Sequence, residues 1–182
     1  HPLPSIEYLK TSNGIVEDML SHDIDISNII MKNEKPSKVI AFANTTLPKL
    51  QEINEIEDIS VMMFYNSGTT INIHGSRTAK YGYDQRAEAY TGDYIVSMNN
   101  KLNSDVQITT SDGNKTDLIN HSFPIRYKNA YYTELDSFVK LLKFNEININ
   151  HFPTCKEMLL NMEICDAINK SLQKNEVVFL SA

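Results

Sequence analysis

The sequence has no tryptophan, only two cysteines, and no apolar run long enough to cross a bilayer. Basic clusters are missing too: 17 Lys and Arg stand against 23 Asp and Glu, for a net charge of −6. Non-specific nucleic-acid binding needs clustered cations, and so does a polybasic membrane anchor, so both are disfavoured. Cys155 and Cys165 fall in one predicted helix, roughly 15 Å apart along its axis, too far for a mutual disulfide. Reduced core thiols of a cytoplasmic protein are the plain reading. No G-x-G-x-x-G, G-x-S-x-G or P-loop signature occurs, so none of the sites those motifs build is encoded here.

What is present suits a packed domain: 182 residues, 41% apolar and 9% aromatic. Asn makes up about a tenth of the chain, so the N-x-[ST] matches at Asn44, Asn114, Asn120 and Asn169 are expected by chance. The opening HPLPSIEYLKTSNG reads as a Pro-punctuated extended lead-in, as in a segment cut from a longer protein.

Asn13-Gly14 opens a helix with Ile15, Met19, Ile26, Ile29 and Ile30 as its apolar stripe, and the E-K-P-S-K stretch around Pro36 ends it. Strands follow. KVIAFANTTL is one; hairpins are expected to turn at Asn66-Ser67-Gly68, Thr91-Gly92-Asp93 and Asp112-Gly113. PKLQEINEIED reads as a solvated acidic connector. Two helices come next, one carrying Ala130, Leu135, Phe138, Leu141 and Leu142 on one side, the other starting near Pro153. VVFL is a closing strand. Strands and helices segregated in this way predict an α+β fold: a large, mostly antiparallel open sheet with helices on one face. Along ISVMMFY, Ile59, Val61, Met63 and Tyr65 point one way, while Met62 and Phe64 point the other. A sheet with one wet face alternates apolar and polar. Here both faces are apolar, so a partner subunit or a further domain is expected over the second face.

Asp18 and His22, four residues apart, share one face of the helix, and His22 should be partly buried between Met19 and Ile26. A carboxylate beside an imidazole orients it and raises its proton affinity, as a general base near neutral pH requires. Spacing alone leaves open an exposed ion pair, and also a two-ligand metal clip. The remaining histidines, His1, His74, His121 and His151, show no spacing that completes a metal set, so no metal is expected. In Tyr81-Gly82-Tyr83-Asp84 the glycine lets the backbone bend or approach a neighbour closely. The flanking tyrosines could face a polyol, or simply pack at a sheet edge.

NGIVEDMLSHDIDI resembles the G-G-x-x-x-D-x-x-x-H-D-x-D signature of the Gfo/Idh/MocA family of NAD(P)-dependent oxidoreductases. SRTAKYGYDQRAEAYTGDYIV is similar to the strand pair S-R-x-A-x-Y-G-Y-D-x-R-x-E-V in the version carried by its inositol 2-dehydrogenases. The resemblance extends over nearly the whole chain. It implies that residues 1–182 form a single C-terminal substrate-binding and oligomerisation domain, with the N-terminal Rossmann domain absent from the chain. Asp18 and His22 match the catalytic pair, and Tyr81 and Tyr83 match a segment that approaches the substrate. NAD or NADP would be held mainly by the missing domain, so the segment alone should be inactive. The implied partners are a polyol or sugar, inositol first, and further copies of the chain packed on the open sheet face. The rival expectation is a non-catalytic dimerisation or scaffold domain. Glu34-Lys35-Pro36 matches the family's lysine motif in letters only. Asn13 replaces the signature's first glycine, a substitution a turn survives because Asn tolerates positive φ. Asp23 and Asp25 belong to the signature without an assigned role.

Overall fold

The computed structural model describes residues 3–144 and 152–181; His1 and His151 lie outside them. In chain order the first half contains α1 (Ile6–Leu9), a π-helical turn at Val16–Leu20, α2 (Ser21–Ile30), β1 (Lys38–Asn44), α3 (Pro48–Gln51), β2 (Asp58–Phe64) and β3 (Thr70–Ser76). Four short strands follow, β4 (Ala87–Tyr90), β5 (Ile95–Met98), β6 (Gln107–Thr110) and β7 (Gly113–Thr116). The chain then runs through α4 (Phe123–Arg126), α5 (Lys128–Phe144), α6 (Cys155–Lys174) and β8 (Val178–Phe179). These elements form two compact units, residues 3–77 with 152–181, and residues 78–144.

In the first unit the strands pair antiparallel in the order β3-β2-β1-β8. The register sets Val39, Ala41, Ile59, Val61, Met63 and Ile73 on one face, where all are buried together with Leu20, Ile24, Ile164 and Ile168 from the helices. Each such aliphatic side chain contributes about 1.5–3 kcal/mol on burial. The α+β, antiparallel reading therefore holds, with helices on one face. The other face of this sheet carries Phe42, 57% exposed, beside Met62 and Phe179, the last 76% exposed. Helix α6 starts in a capping box, Thr154 accepting from the Glu157 amide while the Glu157 carboxylate accepts from the Thr154 amide. At its other end the Ser171 hydroxyl accepts from the Ala41 amide at 3.0 Å and donates to the Glu176 carbonyl at 2.6 Å.

The first helix departs from expectation. Its buried side is Ile15, Val16, Leu20, Ile24, Ser27 and Asn28, while Ile26, Ile29 and Ile30 are exposed. The π-helical turn explains this: i→i+5 bonding inserts an extra residue, and a stripe extrapolated from Ile15 at the α-helical period runs out of phase beyond Leu20. His22 moves out of the buried stripe with them and is exposed. The lead-in is not wholly extended, because Ser5 caps the single turn α1, accepting from the Tyr8 amide. Asn13 and Gly14 take φ of +62° and +84°, the turn expected of that pair.

The acidic connector is only partly solvated: Pro48, Lys49, Gln51, Glu52 and Asn54 are exposed. Leu50, Glu55 and Glu57 in it are buried. The Glu57 carboxylate accepts from the Thr46 amide and hydroxyl, both at 2.8 Å, and from the Leu47 amide at 2.9 Å, tying down the start of α3. Of the cysteines only Cys165 is a core thiol, pushed up to about 12 by burial; Cys155 is exposed, and both are free. Lys35, from the E-K-P letters, pairs with Glu163 at 2.8 Å.

The second unit is built from hairpins β4–β5 and β6–β7, each a separate two-stranded sheet, with turns where the sequence placed them. All eight positions of the first hairpin's strands are exposed, and so is the side of α5 bearing Leu135, Phe138 and Leu142. No helix among the described residues is long and apolar enough to cross a membrane.

Candidate active site

Asp18 stands inside the π-helical turn, with its side chain 14% exposed. Its partner is Arg77, whose Nη1 donates to Asp18 Oδ2. The other oxygen, Oδ1, accepts from the Tyr8 hydroxyl at 2.5 Å. That bond raises the Tyr8 phenol above its ordinary value, with burial adding to the effect. Arg77 follows directly on β3, and its amide donates to the Glu57 carbonyl at 2.8 Å, extending the β2–β3 pairing by one step. The Arg77 side chain is 1% exposed and also reaches Glu55 Oε1, through Nε at 3.1 Å and Nη2 at 2.8 Å. Nη2 completes its contacts at the Ser12 hydroxyl, 3.4 Å away. One cation thus sits between two carboxylates where water is scarce. Such a group is costly to disturb, because losing one partner leaves a buried charge uncompensated.

His22, the other half of the expected pair, lies four residues further along the same helix. Its side chain makes no hydrogen bond or ion pair among the described residues, so Asp18 is held by Arg77 and Tyr8 rather than by His22. Asp25, in the same row, is half-buried. No three His, Cys, Asp or Glu side chains gather among the described residues as a metal would require.

Tyr81 and Tyr83 belong to the second unit. The Tyr81 hydroxyl donates to Asp84 Oδ2 at 2.8 Å, and that bond raises its phenol. Asp84 also accepts from Arg86 Nε at 2.7 Å and from Asn100 Nδ2 at 2.5 Å. The Arg86 bond leads in lowering the Asp84 carboxyl to about 2, with Asn100 and Tyr81 adding to it. Arg126 binds the Asn100 amide oxygen at 3.3 Å and the Gln85 carbonyl at 2.8 Å, closing the network. Tyr83 is half-buried, its ring 6.2 Å from that of Phe123 and 6.0 Å from that of Tyr127. Gly82 between them has φ of +140°, and a Cβ there would fall 2.3 Å from Ile119 Cγ1, the close approach the sequence suggested.

The residues missed in the sequence were Tyr8, Glu55 and Arg77. Arg77 was visible within the S-R pair of the quoted strand motif. Glu55 was hidden in an acidic run, and Tyr8 in a lead-in with no periodicity.

The GFO/IDH/MocA C-terminal domain family matches residues 3–93, a stretch containing Asp18, His22, Arg77, Tyr81 and Tyr83. The chain belongs to this family. Among curated family relatives, the inositol 2-dehydrogenase of Rhizobium meliloti (strain 1021) is 29% identical over 98% of this chain and 53% of its own length. The myo-inositol 2-dehydrogenase of Thermotoga maritima is 32% identical over 79% of this chain and 43% of its own. The crystal structure of a myo-inositol dehydrogenase from Corynebacterium glutamicum ATCC 13032 superposes with a TM-score of 0.86 at 27% identity, over 100% of this chain and 54% of that one. The chain therefore spans about half the length of the relatives it matches.

Proposed function

We propose that the chain is the substrate-binding and oligomerisation domain of an NAD(P)-dependent dehydrogenase that oxidises a hydroxyl of a cyclic polyol or sugar, inositol-like first. The observation that carries this reading is the Asp18 carboxylate, fixed from behind by Arg77, on one helix with the exposed imidazole of His22. The inositol dehydrogenases among the family relatives supply the substrate class. His22 takes the proton of the reacting hydroxyl, a step worth about 10²–10⁴ in rate. Asp18 accepts a hydrogen bond from the substrate and orients it. Tyr81 and Tyr83 serve substrate binding.

Oxidation also needs a hydride acceptor, which a nicotinamide cofactor provides when bound. The described strands all pair antiparallel, so these residues form no parallel βαβ crossover to cradle a dinucleotide. Cofactor binding falls to a Rossmann domain outside this chain, and the segment alone turns nothing over. The two free cysteines accord with a cytoplasmic location. The apolar open face bearing Phe42, Met62 and Phe179 accords with a homo-oligomer assembled through the sheet, and it is also what favours the second reading, a non-catalytic dimerisation domain.

His22→Ala separates the two. In the full-length protein carrying this chain, reduction of NAD or NADP with myo-inositol and common sugars is measured alongside the melting temperature and the sedimentation mass. The dehydrogenase reading expects turnover to fall by about 10²–10⁴ with fold and mass unchanged. A cofactor-loaded protein inactive on every polyol and sugar would overturn it in favour of the scaffold.

A further inference from the structure

We infer that Arg77 is a positioning residue for Asp18, deciding which carboxylate oxygen meets the substrate; this rests on the proposed role of Asp18. Of the two oxygens, Oδ2 is taken by the buried guanidinium, while among the described residues Oδ1 is held only by the hydroxyl of Tyr8, an exposed residue. A substrate hydroxyl can displace a surface tyrosine. It cannot displace an arginine that is itself anchored three ways. Glu55 Oε1 binds both Nε and Nη2, which fixes the plane of the guanidinium, and the Arg77 amide is fixed to the Glu57 carbonyl.

The anchor comes from outside the helix that carries Asp18. The π-helical turn projects Asp18 from a stretch where the regular i→i+4 pattern is broken, and no neighbour on its own helix donates to the carboxylate among the described residues. Orientation comes instead from the end of β3, 59 residues away in sequence. Lysine could not replace it, because a point-charge ammonium lacks the planar fork that spans Asp18 and Glu55 at once. Glu55, Arg77 and Asp18 thus form a chain of supports ending at Oδ1, the oxygen that a substrate hydroxyl can take over from Tyr8, with His22 left to move the proton.

The test compares Arg77→Ala, Arg77→Lys and Glu55→Gln with Asp18→Asn as reference, in the full-length protein with NAD and myo-inositol. The readouts are kcat, KM, melting temperature, and rescue by millimolar guanidinium against equal NaCl. Arg77→Ala should lose about 10²-fold in kcat with KM little changed, as expected when a reacting group is misplaced by about an ångström. Guanidinium, but not NaCl, should restore about tenfold of that loss in Arg77→Ala and nothing in Asp18→Asn. Arg77→Lys should remain impaired. If Arg77→Ala does not fold, Glu55→Gln carries the test: its melt should fall, since the buried guanidinium loses one carboxylate, but the amide oxygen still accepts from Arg77, so the protein stays folded while kcat falls about tenfold. Parent-like kcat in a folded Arg77→Ala or Glu55→Gln protein, with Asp18→Asn inactive, overturns the inference and leaves the polyol reading standing. An active Asp18→Asn enzyme overturns the assigned role of Asp18, and the inference falls with it.

Discussion

The unit formed by residues 3–77 and 152–181 closes fifteen apolar side chains into one cluster, whereas among residues 78–143 only Gly82, Asn120 and Arg126 are buried. None of those three carries an apolar side chain. An isolated two-stranded hairpin is marginal in water, and the second unit has two of them with every strand position exposed. Much of its described cohesion comes from polar links: Asp84 to Arg86, Asn100 and Tyr81, then Asn100 to Arg126. The first unit folds by excluding water, and the second is laced together in its presence. Packing defects should therefore act on the first unit, and backbone or charge defects on the second.

The largest effect is expected at Ile164, fully buried against the sheet: Ile164→Ala should cost about 2–5 kcal/mol in a denaturant melt, whereas Leu118→Ala, at an exposed leucine, should stay within about 0.5 kcal/mol. Equal losses at the two sites would break the comparison. Next comes Gly82→Ala, which forces a Cβ into Ile119 at a positive φ and should cost about 1–3 kcal/mol. Hydrogen exchange should then speed up across residues 78–144 and not in β1–β3; a uniform increase would show that the units melt as one. Acid gives a smaller signal. The Asp84 carboxyl is held at about 2, below its unfolded value near 4, so its contribution is complete above about pH 4 and is lost as pH falls towards 2. Solvent screening keeps that contribution modest. Amide protection around Gln85 and Asn100 should fade over this window, and Asp84→Asn should abolish the dependence. The smallest effect is chemical: Cys155 should react with a thiol reagent at pH 8 at once, and Cys165, pushed up to about 12, only on unfolding.

Hairpins and helices were legible in the sequence because turn residues and apolar periods are local properties. Asp112-Gly113 and Thr91-Gly92-Asp93 turn where they were expected to turn. The phase of α2 was not legible. One inserted residue in the π-helical turn reassigns every later position, so Ile26, Ile29 and His22 emerge into solvent although the letters fit a buried stripe. Glu55 and Glu57 escaped notice for another reason: burial of an acid depends on what comes to meet it, Arg77 for one and the amides of Thr46 and Leu47 for the other. Spacing and the family signature singled out Asp18 but not its surroundings, since the side chain that holds it arrives from the end of β3.

The hydroxyl of Ser171 has a consequence for how the sheet ends. β8 pairs with β1 only at Lys38 and Val39, and continuing that register would set Ala41 opposite Glu176. The serine oxygen is interposed there, taking the Ala41 proton on one side and offering its own to Glu176 on the other. It acts as a spacer rung one atom thick, letting the chain diverge towards α6 without leaving that amide bare. An invading strand finds the position occupied, so a helix side chain closes an edge that strand addition could otherwise lengthen.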